Sequence, residues 1–325
     1  MIRLRLVIAT ALAAAVLPAA AGEVVVYSSN SVDALNTVAT EFNKKYPDIK
    51  MTYVRGSTGA MMQRIKAEAG APKADLFWSG GFSMLGLYKD YFAPYAAGDA
   101  AAVRPAFRGP NDAWLGTNAH VMVIMVNKKG LRGDAAPRSW AEVADPKWKD
   151  RLVIGDPEKT SSSYAILWGI HETLGKDVLK GIARNGTMVN TASAVYEGVA
   201  KGEFAVGLTM EYAAQEYVAG GQKDIEVIYP KEGTFIAPEG MVLVKGAPHA
   251  EDAKKLFDFL ASKGAQEALL KAYFRRPVRE DIDTRGIAGL PAINTIKVSP
   301  IDDAKATAGQ PEFIKAWRDL VANAK

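Results

Sequence analysis

An α/β protein of two lobes is what the 325-residue sequence predicts, and three observations carry that reading. Short apolar runs alternate with helical patterns as strand, helix, strand, helix, strand near the start, the signature of a parallel sheet. The same alternation resumes near Leu152, so a second layer follows the first. Three strand-like runs also end in small hydroxyl residues that open a helix: Ser28-Ser29-Asn30-Ser31, Ser57-Thr58-Gly59 and Thr160-Ser161-Ser162-Ser163. Ligands of open α/β sheets sit at the carboxyl ends of strands, which is where these clusters fall.

The chain begins with Arg3 and Arg5, an apolar run from Leu6 to Leu17, and Ala19-Ala20-Ala21 ahead of Gly22. That pattern predicts a cleaved signal peptide over residues 1–21 and a periplasmic mature chain. Val24 to Tyr27 then reads as a buried strand, and Ala34 to Tyr46 as a helix with Leu35, Val38, Phe42 and Tyr46 on one face. Pro47-Asp48 stops it. Lys50 to Val54 is a second strand, Gly59 to Ala69 a second helix, and Asp75 to Trp78 a third strand leading into Ser79-Gly80-Gly81. Ala119 to Asn127 is a further apolar strand. The second unit comprises strands Leu152 to Ile154, Thr187 to Val189 and Glu203 to Leu208, with helices Ser162 to Leu174, Ala192 to Lys201 and Glu211 to Ala219. Met241 to Val244 is one more strand, followed by helices at Ala250 to Ala261, Ala265 to Tyr273 and Pro311 to Ala324. This last block has no sheet of its own and is expected to pack back on the first lobe. The first lobe would then be discontinuous, residues 22–117 with 241–325, around a second lobe of residues 118–240. The chain would cross near Gly116 to Val123 and Gly233 to Gly240.

There is no Cys, so an exported protein of this sequence is held by its core, and no lipobox thiol is available for an anchor. The leader carries two of the 40 basic residues, which leaves 38 against 36 acidic ones and a net charge of +2. That balance gives no reason to expect nucleic acid or a membrane surface as partner. His120, His171 and His249 are the only histidines, and none stands in a metal-pair spacing. No nucleophile elbow, Walker loop or dinucleotide fingerprint is present. Neither a catalytic set nor a resident metal or cofactor is therefore predicted.

What the sequence does offer is an anion site. One hydroxyl suffices to cap a helix, whereas the run Thr160 to Ser163 with Tyr164 supplies several oxygens besides free backbone N–H groups. Ser57 and Thr58 repeat the arrangement, with Gly59 allowing close backbone approach. Glu211 and Tyr212 open a helix just past Leu208 and Thr209, where a carboxylate and a phenol would select the other end of a ligand. Arg64 reads as a surface charge and Trp78 as core. Phe274 to Arg279, with three Arg, reads as a solvated turn from which one guanidinium could reach a ligand.

Tyr27-Ser28-Ser29, the run Gly56 to Glu68, Pro72 to Trp78, Asn190 to Val195, Gly207 to Tyr212 and Arg275 to Arg279 resemble the extracellular solute-binding proteins of ABC importers. The similarity covers nearly the whole mature chain. It points to the ferric-iron branch, which also holds binders of phosphorylated sugars and 2-aminoethylphosphonate. The resemblance implies a periplasmic binding protein type II fold, each lobe a mixed sheet flanked by helices, closing on a ligand in the cleft and delivering it to an inner-membrane permease. It further implies that Tyr212 alone keeps an iron-ligand type, whereas Ser161, Ser162, Ser163 and Asn190 match the residues that hold an anion. The expected ligand is accordingly an organic phosphonate or phosphate ester. It would be gripped by those residues from one lobe and by Ser28, Ser29, Asn30, Ser57, Thr58, Ser79 and Gly80 from the other, with Glu211 free for an amine or hydroxyl. The expected protein is a monomer. Alternatives are an iron binder using Tyr212, an exported phosphoester-acting enzyme on the same fold, and a module whose closed form docks a sensor.

Overall fold

The computed structural model describes residues 22–287 and 289–324. The predicted signal peptide lies outside the described residues. The chain opens with β1 (Gly22–Ser28), α1 (Val32–Lys45), β2 (Ile49–Arg55), α2 (Thr58–Ala67), β3 (Leu76–Gly81) and α3 (Phe82–Leu87). Strands β2, β1 and β3 lie side by side in parallel, as right-handed strand-helix-strand units require. Ser31 caps α1 by accepting from the Ala34 N–H, and the apolar face Leu35, Val38 and Phe42 is buried against β1. Burying each such side chain contributes roughly 1.5–3 kcal/mol.

After the short β4 (Phe92–Ala93), β5 (Leu115–Asn127) leads into the second lobe. That lobe contains α4 (Trp140–Val143), β6 (Leu152–Gly155), α5 (Ser161–Leu174), α6 (Lys176–Asn185), β7 (Gly186–Val189), α7 (Ala192–Lys201), β8 (Val206–Met210), α8 (Glu211–Ala219) and β9 (Ile225–Ile228). Strand β10 (Ile236–Val244) returns to the first lobe, where α9 (Ala250–Ala261), α10 (Lys263–Tyr273) and β11 (Arg276–Pro277) follow. The sheet order is β2-β1-β3-β10-β5-β8-β6-β7. The long β5 joins the halves. Leu115 to Val121 pairs antiparallel with β10, whereas Met122 to Val126 pairs antiparallel with β8. The sheet is thus mixed, as expected, because the two crossing strands run against each other.

The C-terminal helix α11 (Asp303–Asn323) departs from expectation in two ways. It starts eight residues before Pro311, since Asp302 caps it by accepting from the Lys305 N–H at 3.0 Å and Ala304, Lys305, Ala306, Ala308 and Gln310 favour a helix. Its apolar stripe also packs elsewhere. Ala306, Phe313, Ile314 and Trp317 join the second-lobe core around Trp168, Leu179 and Ile182. The opposite side of α11 touches α3 so closely that a Cβ on Gly86 would come within 2.7 Å of Thr307. The helix spans both halves.

Candidate functional site

A cavity of about 280 Å³ opens where the carboxyl ends of the strands from both halves face each other. Four helix starts converge on it. Ser57 and Thr58 come from α2, Thr160, Ser161 and Ser162 from α5, Thr191 and Ser193 from α7, and Met210 with Tyr212 from α8. Each brings the positive end of a helix dipole. Ser57 and Thr191 cap their own helices, accepting from Ala60 and Ala194. No side chain caps α5 or α8. The first N–H groups of α5 are left to whatever enters the cavity.

Arg55, at the end of β2, adds a guanidinium whose Nε donates to the Asn30 carbonyl at 2.7 Å. It forms no ion pair among the described residues. Ser29 and Ser79 complete the first-lobe wall, where the Ser29 hydroxyl donates to the Ser79 carbonyl at 2.7 Å. Ser79 sits at φ 90°, a conformation that costs a non-glycine residue on the order of 1–3 kcal/mol. The two halves touch at this level. Gly59 donates its N–H to the Lys159 carbonyl at 3.0 Å, and the Gly81 N–H donates to the Ser161 hydroxyl at 3.3 Å.

Behind the cavity runs a buried charge relay. Arg275, 1% exposed, lies 4.5 Å from the Tyr212 ring centroid and 3.4 Å from Glu239, which also pairs with His120. Burial alone would raise the Glu239 carboxyl, but His120 and Arg275 outweigh burial and hold it below the ordinary range. Burial raises the Tyr212 phenol, against the neighbouring Arg275, so the phenol stays protonated. His120 and Tyr212, with ring centroids 5.2 Å apart, form the cavity floor.

Of the sequence-predicted residues, Ser29, Ser57, Thr58, Ser79, Ser161, Ser162 and Tyr212 line the cavity. The others do not, each for a local reason. The Ser28 hydroxyl donates to the Trp78 carbonyl, and Asn30 is buried beside the wall with its amide unpartnered. Gly59 spends its N–H on the other lobe, and Gly80 packs against Phe77 and Leu85. Ser163 turns onto Gly155, while Tyr164 is core and donates to the Ala306 carbonyl at 2.5 Å. Asn190 is exposed and accepts from Lys159, and Thr209 is buried against Met210. Glu211 is the largest correction. Its carboxylate takes a two-point ion pair from Arg276, at 2.5 and 2.9 Å, and a hydrogen bond from Tyr229. It is not free for an amine. The run Arg275 to Arg279 is likewise no solvated turn: Arg275, Arg276 and Arg279 are buried, paired with Glu239, Glu211, and Asp99 with Asp281.

Sequence reasoning missed Arg55, His120, Thr191 and Ser193 as cavity residues. Arg55 was legible as the last residue before the Gly56-Ser57-Thr58 cluster, and Thr191 as a cap one residue past Asn190. His120 carried no such signal, because only strand pairing brings it to the floor.

A family model for bacterial extracellular solute-binding proteins matches residues 70–295. The chain belongs to that family. This solute-binding protein is 28% identical over 255 residues to a putative 2-aminoethylphosphonate-binding periplasmic protein of Salmonella typhimurium, covering 73% of the chain and 72% of the relative. It is 27% identical over 279 residues to iron uptake protein A1 of Synechocystis, covering 79% and 76%. Its fold matches the periplasmic binding protein AfuA from Actinobacillus pleuropneumoniae, solved with fructose-6-phosphate, at a TM-score of 0.86 and 22% identity, covering 93% and 99%. The architecture is therefore the two-lobed α/β one expected of the family.

Proposed function

We propose that this solute-binding protein captures a small organic phosphonate or phosphate ester in the periplasm and hands it to the permease of an ABC importer. The observation that carries the reading is the uncapped start of α5, whose N–H groups share one cavity with the Ser161 and Ser162 hydroxyls and the unpaired Arg55 guanidinium. Donors in that number, with no carboxylate among the cavity-lining residues, suit the three oxygens of a phosphonate or phosphate. A ferric ion is served less well. Tyr212 is held protonated beside Arg275, and His120 is engaged by Glu239. Among the described residues no group of three or more His, Cys, Asp or Glu could hold a metal.

The test is thermal stability against a panel of 2-aminoethylphosphonate, ethylphosphonate, sugar phosphates, inorganic phosphate and ferric citrate. A ligand at 100 times its dissociation constant stabilises the protein by roughly 2.7 kcal/mol. A response to ferric citrate alone, with tyrosinate-to-iron absorption, would overturn the proposal. Arg55→Ala and Ser161→Ala should each weaken the organophosphorus ligand by about 1–3 kcal/mol in calorimetry, since each removes a hydrogen bond to a charged group.

A further inference from the structure

The anion cavity holds a single permanent positive charge. Arg55 is the one lysine or arginine among its lining residues, and no carboxylate lines it. A phosphate monoester above its second ionisation, at about pH 6, carries two negative charges. The helix starts add only partial charges that fade within a turn. One other lining side chain can become a cation near neutral pH, and it is His120.

The surroundings of His120 decide which ring nitrogen would take the proton. Its Nε2 faces the Glu239 carboxylate across the paired strands β5 and β10. Asn118, with its NH2 donating to Glu239 at 3.1 and 3.2 Å, turns its amide oxygen to the same nitrogen at 3.0 Å. A nitrogen held between two acceptors carries hydrogen, so Nε2 is an N–H whether the ring is neutral or charged. The other nitrogen, Nδ1, makes no hydrogen bond among the described residues and is not sealed from solvent. The ring is 11% exposed where it forms the cavity floor, so Nδ1 is open to what the cavity holds. A buried carboxylate on one nitrogen stabilises the imidazolium that forms when the other is protonated. Glu239 is in that position, 1% exposed, and Arg275 meets it through one contact at 3.4 Å. The remaining ionisable groups around the ring are Tyr212 on α8, which stays protonated, Arg55 across the cavity on β2, and Asp303 at the start of α11.

We propose that His120 sets the charge of the ligand: in the complex it carries protons on both nitrogens, and the imidazolium together with Arg55 selects doubly charged phosphonates or phosphate monoesters over singly charged anions. The proton comes from solvent or from the ligand's own P–OH, and either source gives the same imidazolium and dianion. This rests on the anion reading above and adds a charge requirement to it.

Nitrogen NMR of protein labelled in its three histidines reads that charge directly, because an imidazolium has two N–H nitrogens and a neutral ring has one. His171→Gln and His249→Gln assign the signals. At about pH 8, where free imidazole is mostly neutral, saturation with ethyl phosphate should show both His120 nitrogens protonated. Calorimetry supplies a second readout with ethylphosphonate and ethanesulfonate, which share a shape but differ in charge. The parent protein should prefer ethylphosphonate, and His120→Gln should weaken it roughly 10- to 100-fold, the range of one charged hydrogen bond, while ethanesulfonate binds as before. One bare His120 nitrogen in the ethyl phosphate complex, or an unchanged preference in His120→Gln, would overturn the charge requirement and leave the anion site standing. The NMR result, obtained on a parental His120, decides the matter even where that variant fails to fold. Failure of ethyl phosphate, ethylphosphonate and inorganic phosphate to bind would overturn both readings together.

Discussion

Ser79 holds an unfavourable backbone angle at the cavity wall, and no packing demand explains why a glycine does not stand there. Its φ of 90° is free for glycine and costly for serine. The hydroxyl is what a glycine would lose, and it helps hold Glu239 ionised. Ser79→Gly should therefore raise unfolding stability by about 1 kcal/mol in urea titrations while weakening ligand binding. A variant that gains stability and binds as before would show the hydroxyl to be idle. Glu216, one turn after Tyr212 on α8, has the opposite character. Burial raises its carboxyl to about 7, with Asp33 adding to the effect and Arg275 opposing it. In the unfolded chain the group ionises above about 4.5, whereas in the folded protein it ionises only above about 7. Stability must fall as pH rises through that window, by at most about 3 kcal/mol and less where solvent screens the group. Glu216→Gln should flatten this fall, read as urea midpoints between pH 4.5 and 8. Equal slopes in parent and variant would remove Glu216 as the cause.

Most strands and helices were legible in the sequence, because amphipathic periodicity and hydroxyl caps are local. The cavity-lining ends of α2 and α5 were readable for the same reason. What stayed hidden depends on partners distant in the chain. Glu211 looked available until β11 brought Arg276 beside it, 65 residues on. The arginines after Phe274 looked solvated because the carboxylates that bury them come from separate segments. Gly59 is an instructive case between the two. It was read as giving a ligand close approach to the backbone, yet the backbone it admits is that of the other lobe. A Cβ there would stand 2.6 Å from the Glu158 carbonyl oxygen. Gly59→Ala should leave the helix intact, since alanine favours it. It should hold α2 away from the turn before α5 and weaken ligand binding about tenfold. Small-angle scattering should then show less compaction on ligand addition than in the parent protein. Full compaction with parental affinity would mean that the contact yields easily.

At the scale of the molecule, the sheet is continuous but the core is divided. Phe42, Leu35 and Leu256 belong to one cluster, and Trp140, Trp148 and Ile182 to another, with β5 and β10 passing between the halves. A two-lobed binder needs such an arrangement, since each half must stay rigid while the angle between them changes. The C-terminal helix complicates this division. Its chain arrives from the first lobe, but its stripe Phe313, Ile314 and Trp317 joins the core cluster of Trp168 and Leu179 in the second. It also brings Thr307 against α3. If α11 is energetically part of the second lobe, Trp317→Ala should open a cavity there and cost about 3–5 kcal/mol. Hydrogen exchange would then accelerate in α5 and α6 while α1 and β2 kept their protection. Faster exchange confined to α1 and β2 would assign the helix to the first lobe and separate its packing from the cleft.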